Sequence, residues 1–327
     1  YRGQTVLDCI AGLRRDDAAA RRSAAWALFE MGPAAAPAVP ALAELLSDPD
    51  VRIPALRALE AVGRDAYPAA KEVGALCTDP DGFVRLGAVF TLGAMGSTPP
   101  KVPWLTEHQR ILAPQPGPQS QVAVVGLQAA LTDEFGPVAM TAGQQLARFG
   151  TYAKVALPDA IGMLDNPKDE YWIAGLKIIA AMGPVAEAAV PKVIERYVRR
   201  KGIAPTEALT LAAIGPVASE AVDTLEKYAT SDNSYLADTL YGLFCIRGRT
   251  SDLIRMVSLL DRTDLARRQH KRDVVNYLNA LGIKGAAVVD QVRGMLKSEN
   301  LSEKNKEGLK AFLKKVEAGE GPYVVLP

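Results

Sequence analysis

The sequence predicts an all-α protein built as an α-solenoid, a superhelix of stacked antiparallel helix pairs. Three observations predict it. Glycines recur at Gly32, Gly63, Gly96, Gly150, Gly183, Gly215, Gly248 and Gly282, spaced 31 to 34 residues apart with one interval of 54. Each closes an alanine-rich segment, such as ARRSAAWALFEMG, VRIPALRALEAVG or YWIAGLKIIAAMG, with apolar residues at i, i+3, i+4 and i+7. That spacing marks one buried helical face. No stretch alternates apolar and polar residues as a half-buried strand does. A two-helix unit has no way to bury its apolar face alone, so neighbouring units must stack.

The elements follow in order. TVLDCIAGLRRDD reads as the second helix, helix B, of a repeat whose helix A is missing. An array starts with a polar cap rather than half a unit. With Tyr1 as the first residue, the chain is expected to be the C-terminal portion of something longer. Each glycine is expected to take the left-handed conformation that closes helix A. Helix B then follows, as in AVPALAELL, YPAAKEVGALC, AAVPKVIERYV, EAVDTLEKYA and AVVDQVRGML. A polar turn, SDPD, TDPD, DNPKDE or TSDNS, caps the next helix A. About nine such units of roughly 33 residues fill a single array over 1–327.

The prolines of MGPAAAPAVPALAELLSDPDVR fit this grammar. Gly32 and Pro33 stop helix A, Pro37 and Pro40 fall in the first turn of helix B, and Pro49 sits in the turn. A first helical turn loses no hydrogen bond to proline. The long glycine interval is one repeat plus about 21 residues, an insertion over 97–121. Its stretch Ala113–Gln119 is too rich in proline and glycine for a helix and reads as a surface loop. Insertions in repeat arrays map to loops on one face, often the binding face. Leu301–Gly319 is a lysine-rich helix with a thin apolar stripe of Leu309, Phe312, Leu313 and Val316, expected to cap the array before a tail at 320–327.

Bulk properties narrow the function. Lys plus Arg is 38 and Asp plus Glu is 37, a net charge of +1, which argues against a protein that coats nucleic acid. Cys9, Cys77 and Cys245 are few and far apart, so they read as buried thiols rather than a disulfide framework. No apolar run approaches the ~18 residues of a membrane span.

The units SDPDVRIPALRALEAVG and TDPDGFVRLGAVFTLGAMG carry Asp48, Pro49, Val51 and Arg52, then Asp79, Pro80, Val84 and Arg85. They resemble the short bacterial HEAT-like repeats of the phycobilin-lyase type. In that family an Asp-Pro turn leads through Val-Arg into an alanine-rich helix ending in Gly. Later units lose the Val-Arg pair. The resemblance implies a repeat module of a larger bacterial protein, since such arrays are appended to enzymes that include secreted hydrolases such as sulfatases. Arg52 and Arg85 are expected to hydrogen-bond aspartates of neighbouring repeats, forming a ladder along the turns.

Catalytic signatures are missing: there is no His-Glu-x-x-His, Gly-x-Ser-x-Gly, P-loop or Cys-x-x-Cys, and the only histidines are His108 and His270. The chain is therefore expected to be no enzyme and to hold no metal or cofactor. Three groups could bind a partner. Trp104, His108 and Arg110 lie beside the insertion; Trp104 and His108 share a face if the segment is helical, although Trp104 also suits a core. Arg196, Arg199 and Arg200 end a helix B, where cations also meet the helix dipole. Arg267, Arg268, Lys271 and Arg272 make a basic turn suited to an anion or simply to solvent. Trp26 and Trp172 are assigned to packing between repeats. The reading is a non-catalytic scaffold that binds a partner protein, or its own upstream domain, through a concave face lined by B helices. The alternative is a helical-repeat enzyme or a binder of nucleic acid or another anionic ligand, DNA-glycosylase-like or bilin-lyase-like.

Overall fold

A computed structural model describes residues 3–96, 121–202, 204–230, 233–261 and 268–321. All regular structure among them is helical, and the fold is an all-α helical repeat. The described residues gather into two compact units, one up to Ala181 and one from Met182 onward. The insertion over 97–121 lies outside the described residues except for Gln121, and so does most of the tail.

The first unit holds α1 (Val6–Leu13), α2 (Ala18–Met31), α3 (Val39–Glu44), α4 (Arg52–Val62), α5 (Ala70–Ala75), α6 (Gly82–Gly96), α7 (Gln121–Ala129), α8 (Gly136–Ala147), α9 (Leu157–Met163) and α10 (Asp169–Met182). Even-numbered members are A helices and odd-numbered members are B helices. Like packs on like: α2, α4, α6 and α8 stack in sequence, and α5 stacks on α7. The second unit holds α11 (Val190–Arg199), α12 (Pro205–Ile214), α13 (Val222–Tyr228), α14 (Leu236–Arg247), α15 (Thr250–Ser258), α16 (Arg268–Leu281), α17 (Val289–Met295) and α18 (Glu303–Glu317). Here α12, α14, α16 and α18 form the A layer.

The glycine joint differs from the expected left-handed cap. Gly32 has φ 58° and ψ −133°, Gly63 φ 71° and ψ −127°, and Gly215 φ 75° and ψ −145°. These angles mirror the extended region, which a Cβ closes to other residues. Gly248, at φ 70° and ψ 15°, is left-handed as expected. A positive-φ glycine opens each seven-residue 3-10 segment, Gly32–Ala38, Gly63–Ala69, Gly150–Ala156, Gly183–Ala189, Gly215–Ala221 and Gly282–Val288. Side chains three apart eclipse in a 3-10 helix. The inward pair is alanine in five of the six: Ala35 and Ala38, Ala66 and Ala69, Ala153 and Ala156, Ala186 and Ala189, Ala218 and Ala221, all 1% exposed or less; the sixth has Gly285 and Val288 there. Pro37 belongs to this 3-10 segment rather than to the first turn of helix B; Pro40 does lie in the first turn of α3. The B helices proper begin later than expected and are short, six residues in α3 and α5.

This geometry makes a prediction. A Cβ on Gly63 would meet nothing closer than 3.9 Å, so the cost of Gly63→Ala is conformational, about 1–3 kcal/mol. Gly74 in α5 has open space and helical backbone, so Gly74→Ala gains up to about 1 kcal/mol. Urea unfolding compares the two; changes of the same sign would contradict the account.

Trp26 corrects an expectation. It is 38% exposed, edge-on to Phe29 at 5.6 Å, while Ala24, Ala25, Ala27 and Leu28 form the buried face of α2. Small alanines on that face let the A helices approach closely and leave the indole outside. Trp172 is buried, its indole N–H donating to Asp169 at 2.9 Å. At the far end α18 presents Leu309 and Phe312 inward, and Phe312 rests against Gly285. The stretches Asp169–Arg199 and Pro205–Tyr228 are long and apolar enough to cross a membrane, but each is broken at its glycine joint and about half buried in protein.

Candidate functional site

The polar residues of the first unit form a ladder on its inter-repeat turns. Asp48, Asp79 and Asp133 each accept, through Oδ1, the N–H two residues on, at 2.9, 2.9 and 2.8 Å. Their remaining lone pairs face the preceding A helix, where an arginine stands. Arg21 donates twice to Asp48 at 3.0 and 2.7 Å, Arg52 pairs with Asp79, and Arg85 donates to Asp133 at 2.6 and 2.9 Å. Arg85 also donates to the Asp79 and Pro80 carbonyls, and Arg21 to those of Arg15 and Asp16. Each of these two guanidiniums clamps two successive turns, as the planar fork of arginine permits. The bond to Asp133 also holds the Arg85 pKa above its ordinary value, despite burial. The ladder expected of Arg52 and Arg85 is present, with Arg21 as a further rung.

The rungs are 27 residues apart for Arg21 and Arg52 but 48 for Arg85. The surplus of about 21 residues therefore enters between α6 and α7, at the glycine end of the repeat, and leaves the ladder in register. In two later repeats the arginine and the acid are lost together. The arginine lies eleven residues before its glycine; Ala139 and Ala204 fill that position in two later repeats. Asn166 and Asn233 then replace the aspartate, keeping the turn bond to the N–H two residues on at 3.0 and 2.8 Å. A neutral amide avoids burying an unpaired charge. Asn233 further donates to the Gly202 and Tyr228 carbonyls at 3.3 and 2.8 Å.

Several residues singled out from the sequence are drawn into the fold. Lys271 occupies the arginine position of its repeat and donates to the Asn300 carbonyl at 2.9 Å. Arg196 has a 12% exposed side chain, with Nε 3.1 Å from Oε1 of Glu207, itself 1% exposed on the first turn of α12. Burial pushes the Glu207 carboxyl up and the Arg196 guanidinium down, each partly opposed by the other. Arg199 and Arg200 are exposed at the end of α11, and Arg199 pairs with Glu195. The turn after them packs on Tyr228 through Gly202, and Arg255 of α15 donates to the Ala229 carbonyl at 2.8 Å. The ends of α11, α13 and α15 thus bring Arg199, Arg200, Lys201, Lys227 and Arg255 to one edge. Arg272 is exposed, 3.7 Å from Asp273. Trp104, His108, Arg110 and Arg267 lie outside the described residues, as does the side chain of Arg268.

The second unit also has a buried polar core. Tyr277 donates to Oδ1 of Asp238 at 2.5 Å and stacks on Tyr241 at 4.4 Å. Burial, against that hydrogen bond, drives the Asp238 carboxyl up to about 6. Burial likewise pushes the Cys77 thiol to about 12 and Cys245 to about 11, which keeps both protonated at neutral pH. Among the described residues no group of three or more His, Cys, Asp or Glu is placed to hold a metal ion.

One surface feature escaped the sequence reading. Phe83 is 69% exposed and meets Phe135 edge-on at 5.9 Å. The available signal was an aromatic residue just after the TDPD turn, two positions before the inward-facing Arg85.

The fold and its ladder define an all-α helical-repeat protein. Residues 20–48 match the family model of the PBS lyase HEAT-like repeat, a stretch that includes the Arg21–Asp48 rung. No curated protein matches the chain. Among solved structures, an engineered protein is 19% identical, with 95% of this chain and 88% of that one covered and a TM-score of 0.53. Importin beta is 13% identical over 96% of this chain and 48% of its own, with a TM-score of 0.58. Kap121p bound to Nup53p is 17% identical over 96% of this chain and 41% of its own, with a TM-score of 0.53. These likenesses are of fold.

Proposed function

We propose that the chain is a non-catalytic repeat scaffold that binds another protein, or another domain of its own polypeptide, across its B-helix faces. The observation that carries this reading is on α7. Val122 and Val125 stand one turn apart on that helix, 44% and 53% exposed, and share an apolar face open to solvent. Ile254, 48% exposed on α15, is its counterpart in the second unit. Within the second unit, the cations at the ends of α11, α13 and α15 suit an acidic segment of a partner, with Arg199 and Arg200 as contacts. Buried charges, by contrast, are engaged in holding turns and helices together.

A photo-crosslinking side chain at Val125 or Ile254 of the full-length protein, in its native cells, tests the reading. A discrete crosslinked polypeptide is expected at both positions and none at Ser23, exposed on the A helix α2. Absence of a product at Val125 and Ile254 would overturn it. The alternative, a nucleic-acid binder, predicts steep salt-dependent affinity for random DNA.

A further inference from the structure

The exposed Phe83 and the half-buried Phe135 sit on an edge with its own chemistry. Phe83 and Phe135 project from two successive inter-repeat turns of the first unit. The Phe135 ring lies over Gly82, where an added Cβ would come within 2.9 Å, so Phe135 is seated and Phe83 stands outermost. Carboxylates surround the pair. Asp81 accepts the Phe83 N–H at 2.8 Å, Glu134 precedes Phe135, and Glu170 of the next turn reaches Gly136.

The ladder leaves this edge acidic. Arg52 and Arg85 are bound to Asp79 and Asp133, so the cations of these turns are already matched. Asp81, Glu134 and Glu170 have no ion-pair partner among the described residues. The one other base on these turns, Lys168, lies over the Tyr171 ring at 5.8 Å. An exposed phenyl ring flanked by unmatched carboxylates favours one kind of occupant. A guanidinium can lie over the ring face while its N–H groups reach the carboxylates, a combination that lysine satisfies less well.

Resting on the scaffold reading above, we infer that the Phe83–Phe135 edge of the first unit is a docking site for an arginine-containing segment of a partner protein. Arginine stacks on Phe83, and Asp81, Glu134 and Glu170 supply charge around it. The site lies on the inter-repeat turns, apart from the B-helix face.

Fluorescence anisotropy on the whole chain tests this with three labelled ten-residue peptides, alternating Gly-Arg, Gly-Lys and Gly-Glu, at low and moderate salt. The arginine peptide is expected to bind at least tenfold more tightly than the glutamate peptide. Phe83→Ala weakens the arginine peptide about fivefold and leaves the lysine peptide nearly unchanged. Glu134→Lys with Glu170→Lys weakens both basic peptides about tenfold and flattens their salt dependence. Thermal unfolding verifies that the variants remain folded, and Phe83→Ala removes a mostly exposed ring. Three results would overturn the inference: equal binding of the arginine and lysine peptides with no effect of Phe83→Ala, preference for the glutamate peptide, or low-salt self-association abolished by the same substitutions, which would make a second copy the occupant. The Val125 crosslink, repeated in Phe83→Ala, separates the two readings. If it persists while the peptides fail to discriminate, only the docking site falls.

Discussion

Arg85→Ala is expected to lower the unfolding free energy by about 3 kcal/mol, more than the removal of an exposed arginine would. The side chains of Arg85 and Asp133 are 11% and 7% exposed, so truncation strands a carboxylate that little water reaches. It also releases the Asp79 and Pro80 carbonyls that Arg85 holds. The chain itself indicates the remedy, because two of its arginine-free repeats carry asparagine, Asn166 and Asn233, at the turn. Arg85→Ala with Asp133→Asn should recover at least half of the loss, since an amide oxygen can still accept the Phe135 N–H. Urea unfolding of the two single variants and the double variant forms the cycle. Simple additivity of the two losses would show that charge burial is not what couples them.

Tyr277→Phe is expected to cost about 2 kcal/mol at pH 7.5 and markedly less at pH 4. Asp238 titrates near 6 in the folded chain against an ordinary 3.8. Above about pH 6 it is a buried carboxylate receiving a charge-assisted bond from Tyr277; at pH 4 it is a neutral acid with less need of the donor. The same displacement sets a pH slope for the wild type. A carboxyl raised on folding is most favourable below its unfolded value, loses stability as pH rises from about 4 to 6, and is flat above. The amplitude is on the order of 3 kcal/mol. Asp273 faces the same carboxylate and reinforces the upward shift. Asp238→Leu with Tyr277→Phe should abolish the slope while holding stability at pH 7.5 near or above that of the wild type, because both polar partners leave together. Thermal melts across pH 4–8 decide it; an equal loss from Tyr277→Phe at both ends would sink the account.

The repeat, its period and two rungs of its ladder were legible because each is local. Asp48 and Arg52, or Asp79 and Arg85, sit in one short motif, and stacking then brings neighbouring motifs together. The glycine joint was half legible: glycine signals positive φ, but nothing in Gly32 or Gly63 reveals a ψ near −130°. The alanine pair that follows five of the joints was visible but fell out of view under a helical period of 3.6, since its spacing of three belongs to a 3-10 turn. Arg196 read as a cation at a helix end open to a partner, and only the close packing of α11 on α12 turns it to the buried Glu207. Trp26 was misplaced because alanine on several sides of α2 leaves the inward face undetermined by hydrophobicity. The exposed cations Arg199 and Arg200 were legible as a helix end, whereas the Phe83 edge depends on Phe135, more than 50 residues away in sequence.

The ladder also determines which pieces of this chain are interchangeable. A helix pair ending in Asp79 and one ending in Asn166 look alike in length and apolar pattern, yet they carry different residues at the matching position of helix A, Arg52 and Ala139. Arginine must travel with the aspartate of the following turn, and alanine with asparagine. The unit that can be duplicated, deleted or exchanged between repeats is therefore the joint and its two flanking half-units. An insertion is tolerated at the glycine end, where the chain already carries its long interval, because the pair still closes across it, but a crossover there parts each arginine from its aspartate. Chimeras of arginine-bearing and arginine-free repeats spliced just after the aspartate turn should fold, and the same repeats spliced at the glycine should arrive with mismatched charges.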